Sequence, residues 1–233
     1  MRLIIFDIDG TLLRTSAVDD ACFIRAAEDV LGFRDVTADW SQYEHCNDVA
    51  IVSQLVRERL GRACQETEME AFRARFVQLL SEVHADDPSH FLPTPGAAVL
   101  LEHLAGAGDG ACLATGGFER SARLKLRLAS LDCGDLPAAF AEDGPSREAV
   151  VTTATQRAHV RHDLAAFDRA VSIGDGVWDV TTAAALGLPF IGIATGARAA
   201  QLHAAGAGCV LPDFADLDAT LDAIATAPVP RTT

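Results

Sequence analysis

The stretch FDIDGTLL, Phe6 to Leu13, decides how this chain is read. It closes the apolar run Leu3-Ile4-Ile5-Phe6 with two aspartates, Asp7 and Asp9, one residue apart, and follows them with Gly10 and Thr11. A short, continuous run rich in β-branched residues has the character of a strand buried on both faces of a parallel sheet. Two like charges at its end repel each other, and a glycine lets the backbone turn away at once. In open parallel sheets ligands bind beyond the carboxyl ends of the strands. Charges in that position are candidates for chemistry.

Outward from this strand (residues 3–8), only helical patterns follow. They cover residues 16–31, with Thr15 or Ser16 as N-cap and Gly32 as stop, then 48–60 ending at Gly61, then 67–84. The proline-rich DDPSHFLPTPG (residues 86–96) reads as a linker, and Thr94-Pro95 as the N-cap and first residue of a helix running to about residue 105. Beyond it strands predicted at 111–115, 138–141, 170–173, 190–194 and 209–211 alternate with helices at 119–131, 146–162, 177–186, 197–203 and 216–226. Alternation of this kind predicts an α/β fold, a parallel sheet with helices on both faces. The expected organisation is a core of residues 1–14 and 90–233 interrupted by an all-helical insertion of residues 15–89. The closing APVPRTT reads as a frayed tail.

The chain has 233 residues, 49% of them hydrophobic and 22% charged, with a formal net charge of −14. So acidic a surface repels phosphate backbones and anionic lipid, which argues against nucleic acid and membrane partners. Six cysteines, at 22, 46, 64, 112, 133 and 209, form no CxxC pair and read as reduced, mostly buried thiols. The first apolar run is too short for a secretory signal, so a soluble cytoplasmic protein is expected, a monomer or a homodimer.

Three strand ends carry suggestive residues: Asp7 and Asp9, then Thr115-Gly116-Gly117, then Gly174-Asp175-Gly176 with Asp179 one helical turn on. Carboxylates crowded together call for a hard divalent cation, and Mg²⁺ suits a site of few carboxylates that also takes a phosphate. Thr115 offers a hydroxyl, and the two glycines let backbone N–H groups approach an anion closely. A cation is still wanted. Lys125, the single lysine, falls well inside a helix, so Arg147 at the opening of the next helix is the better candidate. These parts match the needs of phosphoryl transfer, in which one carboxylate attacks phosphorus and another carries the proton.

The four segments DIDGT (residues 7–11), ATGG (114–117), SRE (146–148) and GDGVWD (174–179), in that order, resemble the haloacid dehalogenase superfamily in its phosphatase-type members. The resemblance covers about two thirds of the chain and implies a Rossmann-like core, with the helical insertion standing where the family's type 1 cap stands. It implies Asp7 as nucleophile and Mg²⁺ ligand, and Asp9 as general acid/base that ligates through its backbone carbonyl. Thr115 and Gly116 would donate to the phosphoryl group. Asp175 would ligate Mg²⁺, and Asp179 would ligate it or orient its waters. Arg147 stands where most members carry lysine. The name-giving dehalogenases lack a carboxylate at the position of Asp9, so its presence favours phosphate esters over carbon–halogen bonds.

The expected activity is hydrolysis of a small phosphorylated metabolite, with a phosphomutase as the alternative. A receiver-like regulatory module is disfavoured by the long helical insertion after the first strand. In that insertion YEHCND (residues 43–48) is a polar junction, and His45, Asn47 and Asp48, with Gly117 and Arg14 from the core, are the candidates for substrate contact. Trp178 reads as packing, and His159 with His162 as a solvated helix face.

Overall fold

A computed structural model describes residues 1–231. Six parallel strands form one sheet in the order β3-β2-β1-β4-β5-β6, where β1 is Arg2–Phe6, β2 Gly110–Ala114, β3 Ala138–Ala139, β4 Arg169–Gly174, β5 Phe190–Ile193 and β6 Val210–Leu211. The first strand sits between β2 and β4, and this is why its unbroken apolar run is tolerated. Ile4 and Phe6 pack on one side, against Leu100 and Leu104 of helix α4 (Ala97–Ala107) and Leu126 of α5 (Glu119–Leu128). Leu3 and Ile5 pack on the other, against Val150 and Ala154 of α6 (Arg147–His162). Alternate side chains thus fill two separate cores, as the strand's period of two demands.

Helices α7 (Val177–Leu186), α8 (Gly196–Ala204) and α9 (Leu217–Thr226) complete the two helical layers. The helical segment between β1 and β2 contains α1 (Ser16–Leu31), α2 (Asp48–Leu60) and α3 (Glu66–Asp86). Its two connections run side by side: Arg14 N–H donates to Leu92 O at 2.8 Å and Thr94 N–H to Leu12 O at 2.8 Å. The segment does not close its own core. Phe23, Phe72 and Phe76 form an aromatic cluster that Phe118, at the start of α5, completes at ring-centroid distances of 6.1 and 6.5 Å from Phe72 and Phe76.

The structure departs from the sequence reading at four places. Helix α4 begins at Ala97, not at Pro95. Thr94 is drawn into the bridge to Leu12, and Gly96 takes a φ of +79° so close to the Phe214 carbonyl that a Cβ would lie 2.0 Å from it. Helix α5 stops at Leu128, three residues early, because Ser130 turns left-handed and Leu131 N–H reaches back to Leu126 O. Strand β3 keeps only two residues, since Phe140 N–H donates to the Asp143 carboxylate instead of extending the ladder. The tail is tied down as far as Arg231. Pro228 O accepts from Phe190 N–H and Arg231 N–H donates to Gly206 O, each at 3.1 Å; the remaining Thr232 and Thr233 lie outside the described residues. Among the described residues no helix is long and apolar enough to cross a membrane.

Candidate active site

The chain leaves β1, β2 and β4 at one edge of the sheet, and each exit delivers polar groups to a single cavity of about 510 Å³ under the helical segment. Gly10 makes the first exit possible. It takes a φ of +80°, and a Cβ there would lie 2.0 Å from an Asp175 carboxylate oxygen, so any side chain would be strained and would also collide with the acidic cluster. Beyond β2, a Cβ on Gly116 would meet Cys46 O at 2.6 Å and the Arg147 guanidinium at 2.7 Å. Gly117 N–H donates to Thr115 Oγ1 at 3.1 Å, which leaves the Thr115 hydroxyl proton free to point outward.

Asp7, Asp175 and Asp179 each present an oxygen within 4.8 Å of the others, and all three are buried. Arg147 bridges two of them. Its Nη2 lies 3.1 Å from Asp7 Oδ1 and also contacts Asp179 Oδ1. The other Asp179 oxygen accepts from Gly176 N–H at 3.0 Å, at the start of α7. Arg198 of α8 lies 2.5 Å from Asp175 Oδ2. Burial pushes the Asp7 carboxyl up to about 7 against the opposing pull of Arg147, and Asp179 and Asp9 add to the rise. Burial, then Asp7 and Asp179, push Asp175 well above the carboxylate range. Burial works against the charge on Arg147, but Asp179 and Asp7 hold it firmly protonated.

These shifts have a thermodynamic consequence. Asp7 and Asp175 titrate higher in the fold than in the unfolded chain, so above the ordinary carboxylate range the folded chain binds more protons, up to about pH 7 for Asp7. Stability contributed this way falls as pH rises through that window. In the presence of a chelator the melting temperature should therefore decline from about pH 5 to about pH 7.5; a rise over that range in calorimetry would contradict the crowding described here.

A second group of charges lies behind Asp9. Lys125 of α5 is fully buried, with its Nζ 2.5 Å from Asp9 Oδ2 and in contact with Asp19 Oδ1 of α1. The other Asp9 oxygen accepts from Thr15 Oγ1 at 2.5 Å. Burial raises Asp19 to about 7 despite the neighbouring ammonium. Burial also disfavours the Lys125 charge, but Asp19 and Asp9 more than offset it. The sequence reading set Lys125 aside because it lies inside a helix; in the structure the inner face of that helix meets the back of the site.

The junction at residues 43–48 divides. Asp48 lines the cavity, where its carboxylate accepts from Phe118 N–H at 2.9 Å and its N–H donates to Gly116 O at 2.8 Å. Asn47 also reaches the cavity wall, but its side chain is committed elsewhere. It caps α2 through Ala50 N–H and donates to Ala141 O and Gly144 O at 3.2 and 3.1 Å. His45 and Arg14 are exposed and are not among the cavity-lining residues. Trp178 and Trp40, the two tryptophans of the chain, both line the cavity. His159 and His162 instead pack around Phe167, at ring distances of 4.7 and 6.0 Å.

A Rossmann-like parallel sheet with a trio of carboxylates at its carboxyl edge, roofed by helices inserted after the first strand, defines a class of α/β hydrolases. The comparisons agree with this class. Residues 1–187 match the family model for haloacid dehalogenase-like hydrolases, and the chain belongs to that family. It is similar to a phosphoglycolate phosphatase of Rhodospirillum rubrum, with 28% identity over 224 residues, 93% of this chain and 89% of that one. Among solved structures, a hydrolase from Pseudomonas syringae superposes with a TM-score of 0.74 at 22% identity, covering 97% of this chain and 100% of that one. A candidate β-phosphoglucomutase from Bacteroides vulgatus superposes with a TM-score of 0.69 at 16% identity, covering 97% and 89%.

Proposed function

We propose that the chain is a Mg²⁺-dependent phosphatase of a small phosphorylated metabolite, acting through an aspartyl-phosphate on Asp7, with the helical segment of residues 15–89 as its cap. The observation that carries this reading is the convergence of Asp7, Asp175 and Asp179 within 4.8 Å beside the Thr115–Gly117 turn. The donor set is all hard oxygen and over-rich in negative charge, which fits Mg²⁺. Asp7 and Asp175 would hold the ion, with the Asp9 carbonyl and Asp179 completing or orienting its shell. When bound, the ion would neutralise charge on the phosphoryl oxygens.

The protein groups divide the remaining work. Thr115 Oγ1 and the N–H of Gly116 donate to the phosphoryl oxygens, and Arg147 balances their charge beside Asp7. An Asp7 oxygen attacks phosphorus while the bond to the leaving oxygen breaks, and Asp9 gives that oxygen its proton. In the second half Asp9 takes a proton from water, whose oxygen attacks phosphorus and returns the Asp7 carboxylate with release of inorganic phosphate. Cytoplasmic residence suits the reduced state of all six cysteines, which are free in the structure.

The similarity to a phosphoglycolate phosphatase supports a small phosphate monoester as substrate. A panel of sugar, amino-alcohol, carboxylate and nucleoside monophosphates assayed with Mg²⁺ tests the reading, with inorganic phosphate as the expected product. Absence of release from every member and from an aryl phosphate would defeat it. An isomerised sugar phosphate in place of inorganic phosphate would move the reading to a mutase.

A further inference from the structure

We propose that Lys125 is the positioning residue of the proton-carrying side of the site: a buried counter-charge that fixes the Asp9 carboxylate and ties it to Asp19 of the helical segment. The inference rests on the reading of Asp9 as general acid/base. It goes beyond that reading because the cation already accounted for, Arg147, serves a different pair of carboxylates.

The geometry separates two charge clusters. Arg147 reaches the side chains of Asp7 and Asp179. Lys125 reaches those of Asp9 and Asp19. Each cation arrives on a different helix, α6 and α5, and each is buried. Asp9 is gripped at both oxygens, by the Thr15 hydroxyl on Oδ1 and by the Lys125 ammonium on Oδ2. Oδ2 also faces the anion-binding turn, 3.9 Å from where a Cβ on Gly117 would lie. A carboxylate has about four lone-pair positions. Two are taken by these donors, which sets the plane of the group and leaves the rest for the leaving oxygen and for water.

The second partner of Lys125 gives this grip a wider reach. Asp19 lies on α1, the first helix of the inserted segment, whereas Asp9 lies just beyond β1 of the sheet. A proton carrier has to stand within about 2.6–3.2 Å of the atom it serves, so a small rotation of Asp9 is costly. One ammonium shared between α1 and Asp9 makes that placement depend on the seating of the segment. A long-stemmed cation is suited to the task, because its three donors can serve two carboxylates at once.

A purely structural buried ion triad predicts something different, and the two can be told apart. The experiment uses Lys125→Met, Asp19→Asn and the double variant in the full chain, with Asp7→Asn alongside. The probes are 4-nitrophenyl phosphate, whose leaving group departs without a proton, and phenyl phosphate, whose leaving group needs one. In Lys125→Met, kcat for phenyl phosphate should fall at least about 10²-fold with KM little changed, because general acid–base help is worth that much. Rapid mixing with 4-nitrophenyl phosphate should show a burst approaching one equivalent of nitrophenolate, since attack by Asp7 persists while release of phosphate by water is slowed.

Lys125→Met leaves two buried carboxylates without their cation and melts lower. The double variant leaves only Asp9 without its cation and should recover part of the melting temperature but none of the turnover. Recovery of turnover together with stability would overturn the positioning role. So would parallel losses on both esters without a burst. If Asp7→Asn keeps wild-type turnover, the aspartyl-phosphate reading itself fails, and the role of Lys125 falls with it. If Asp7→Asn is inactive while Lys125→Met shows no leaving-group dependence, only the present inference fails.

Discussion

Replacing Asp7 by asparagine should lower turnover by at least about 10³-fold, equivalent to about 4 kcal/mol of transition-state stabilisation. The amide keeps the shape of the side chain and its place at the end of β1 but cannot act as the oxygen nucleophile. No neighbour can substitute. Asp175 and Asp179 are engaged by Arg198 and Arg147, and Asp9 is held by Thr15 and Lys125. The fold should tolerate the change, because Arg147 also contacts Asp179, a partner that the substitution leaves in place. Steady-state release of phosphate by wild type and variant, each confirmed as folded by its melting profile, measures the effect. A loss of less than tenfold would remove Asp7 from the reaction.

Chelation should abolish turnover, Mg²⁺ should restore it, and Asp175→Asn should weaken Mg²⁺ binding by at least about 10²-fold, since loss of even an outer partner of a metal ligand costs about 10–100-fold. The stability of this variant should move in opposite directions with and without the ion. Asp175 is buried among carboxylates that push its own titration upward, so losing its charge relieves repulsion in the metal-free chain. Its melting temperature without Mg²⁺ should equal or exceed that of wild type, while the increment that millimolar Mg²⁺ adds to wild type should vanish. Calorimetric titration with Mg²⁺ and paired thermal melts read both effects without any substrate. A Mg²⁺ increment that survives the substitution would move the ion away from Asp175.

Much of this site could be read along the chain because its decisive features are local. The apolar run ending in Asp7, the glycine at position 10 and the short loop from Gly174 to Asp179 need no distant partner to be recognised. Helices α2 and α7 fall on the residues predicted for them because each ends at a glycine with a φ of +67°, Gly61 and Gly187, immediately after its last apolar turn. Strand order adds what the sequence cannot. By setting β1 between β2 and β4 it brings three separated loops to one edge.

Features set by distant partners stayed hidden. The Lys125 carboxylates lie 116 and 106 residues away, and helical periodicity tells only that one face of α5 turns inward. Arg198 is equally silent, 23 residues from the carboxylate it meets. At the junction of residues 43–48, residue type suggested three polar hands for a substrate, His45, Asn47 and Asp48. Three-dimensional packing leaves Asp48 at the cavity, spends the Asn47 amide on backbone groups and turns His45 outward.

Phe118 belongs by sequence to the sheet-bearing part of the molecule, yet it packs among Phe23, Phe72 and Phe76 and is 1% exposed. The roof is therefore no detachable module. A chain shortened by excising residues 15–89 would present Phe118 and the apolar side of α5 to water and strand an ammonium deprived of Asp19, so such a truncate should aggregate rather than survive as a minimal catalyst. Exchange of specificity between relatives by swapping whole roofs meets the same obstacle: the graft must carry matching residues at positions 118, 124, 125 and 128, because those side chains are shared property of both halves.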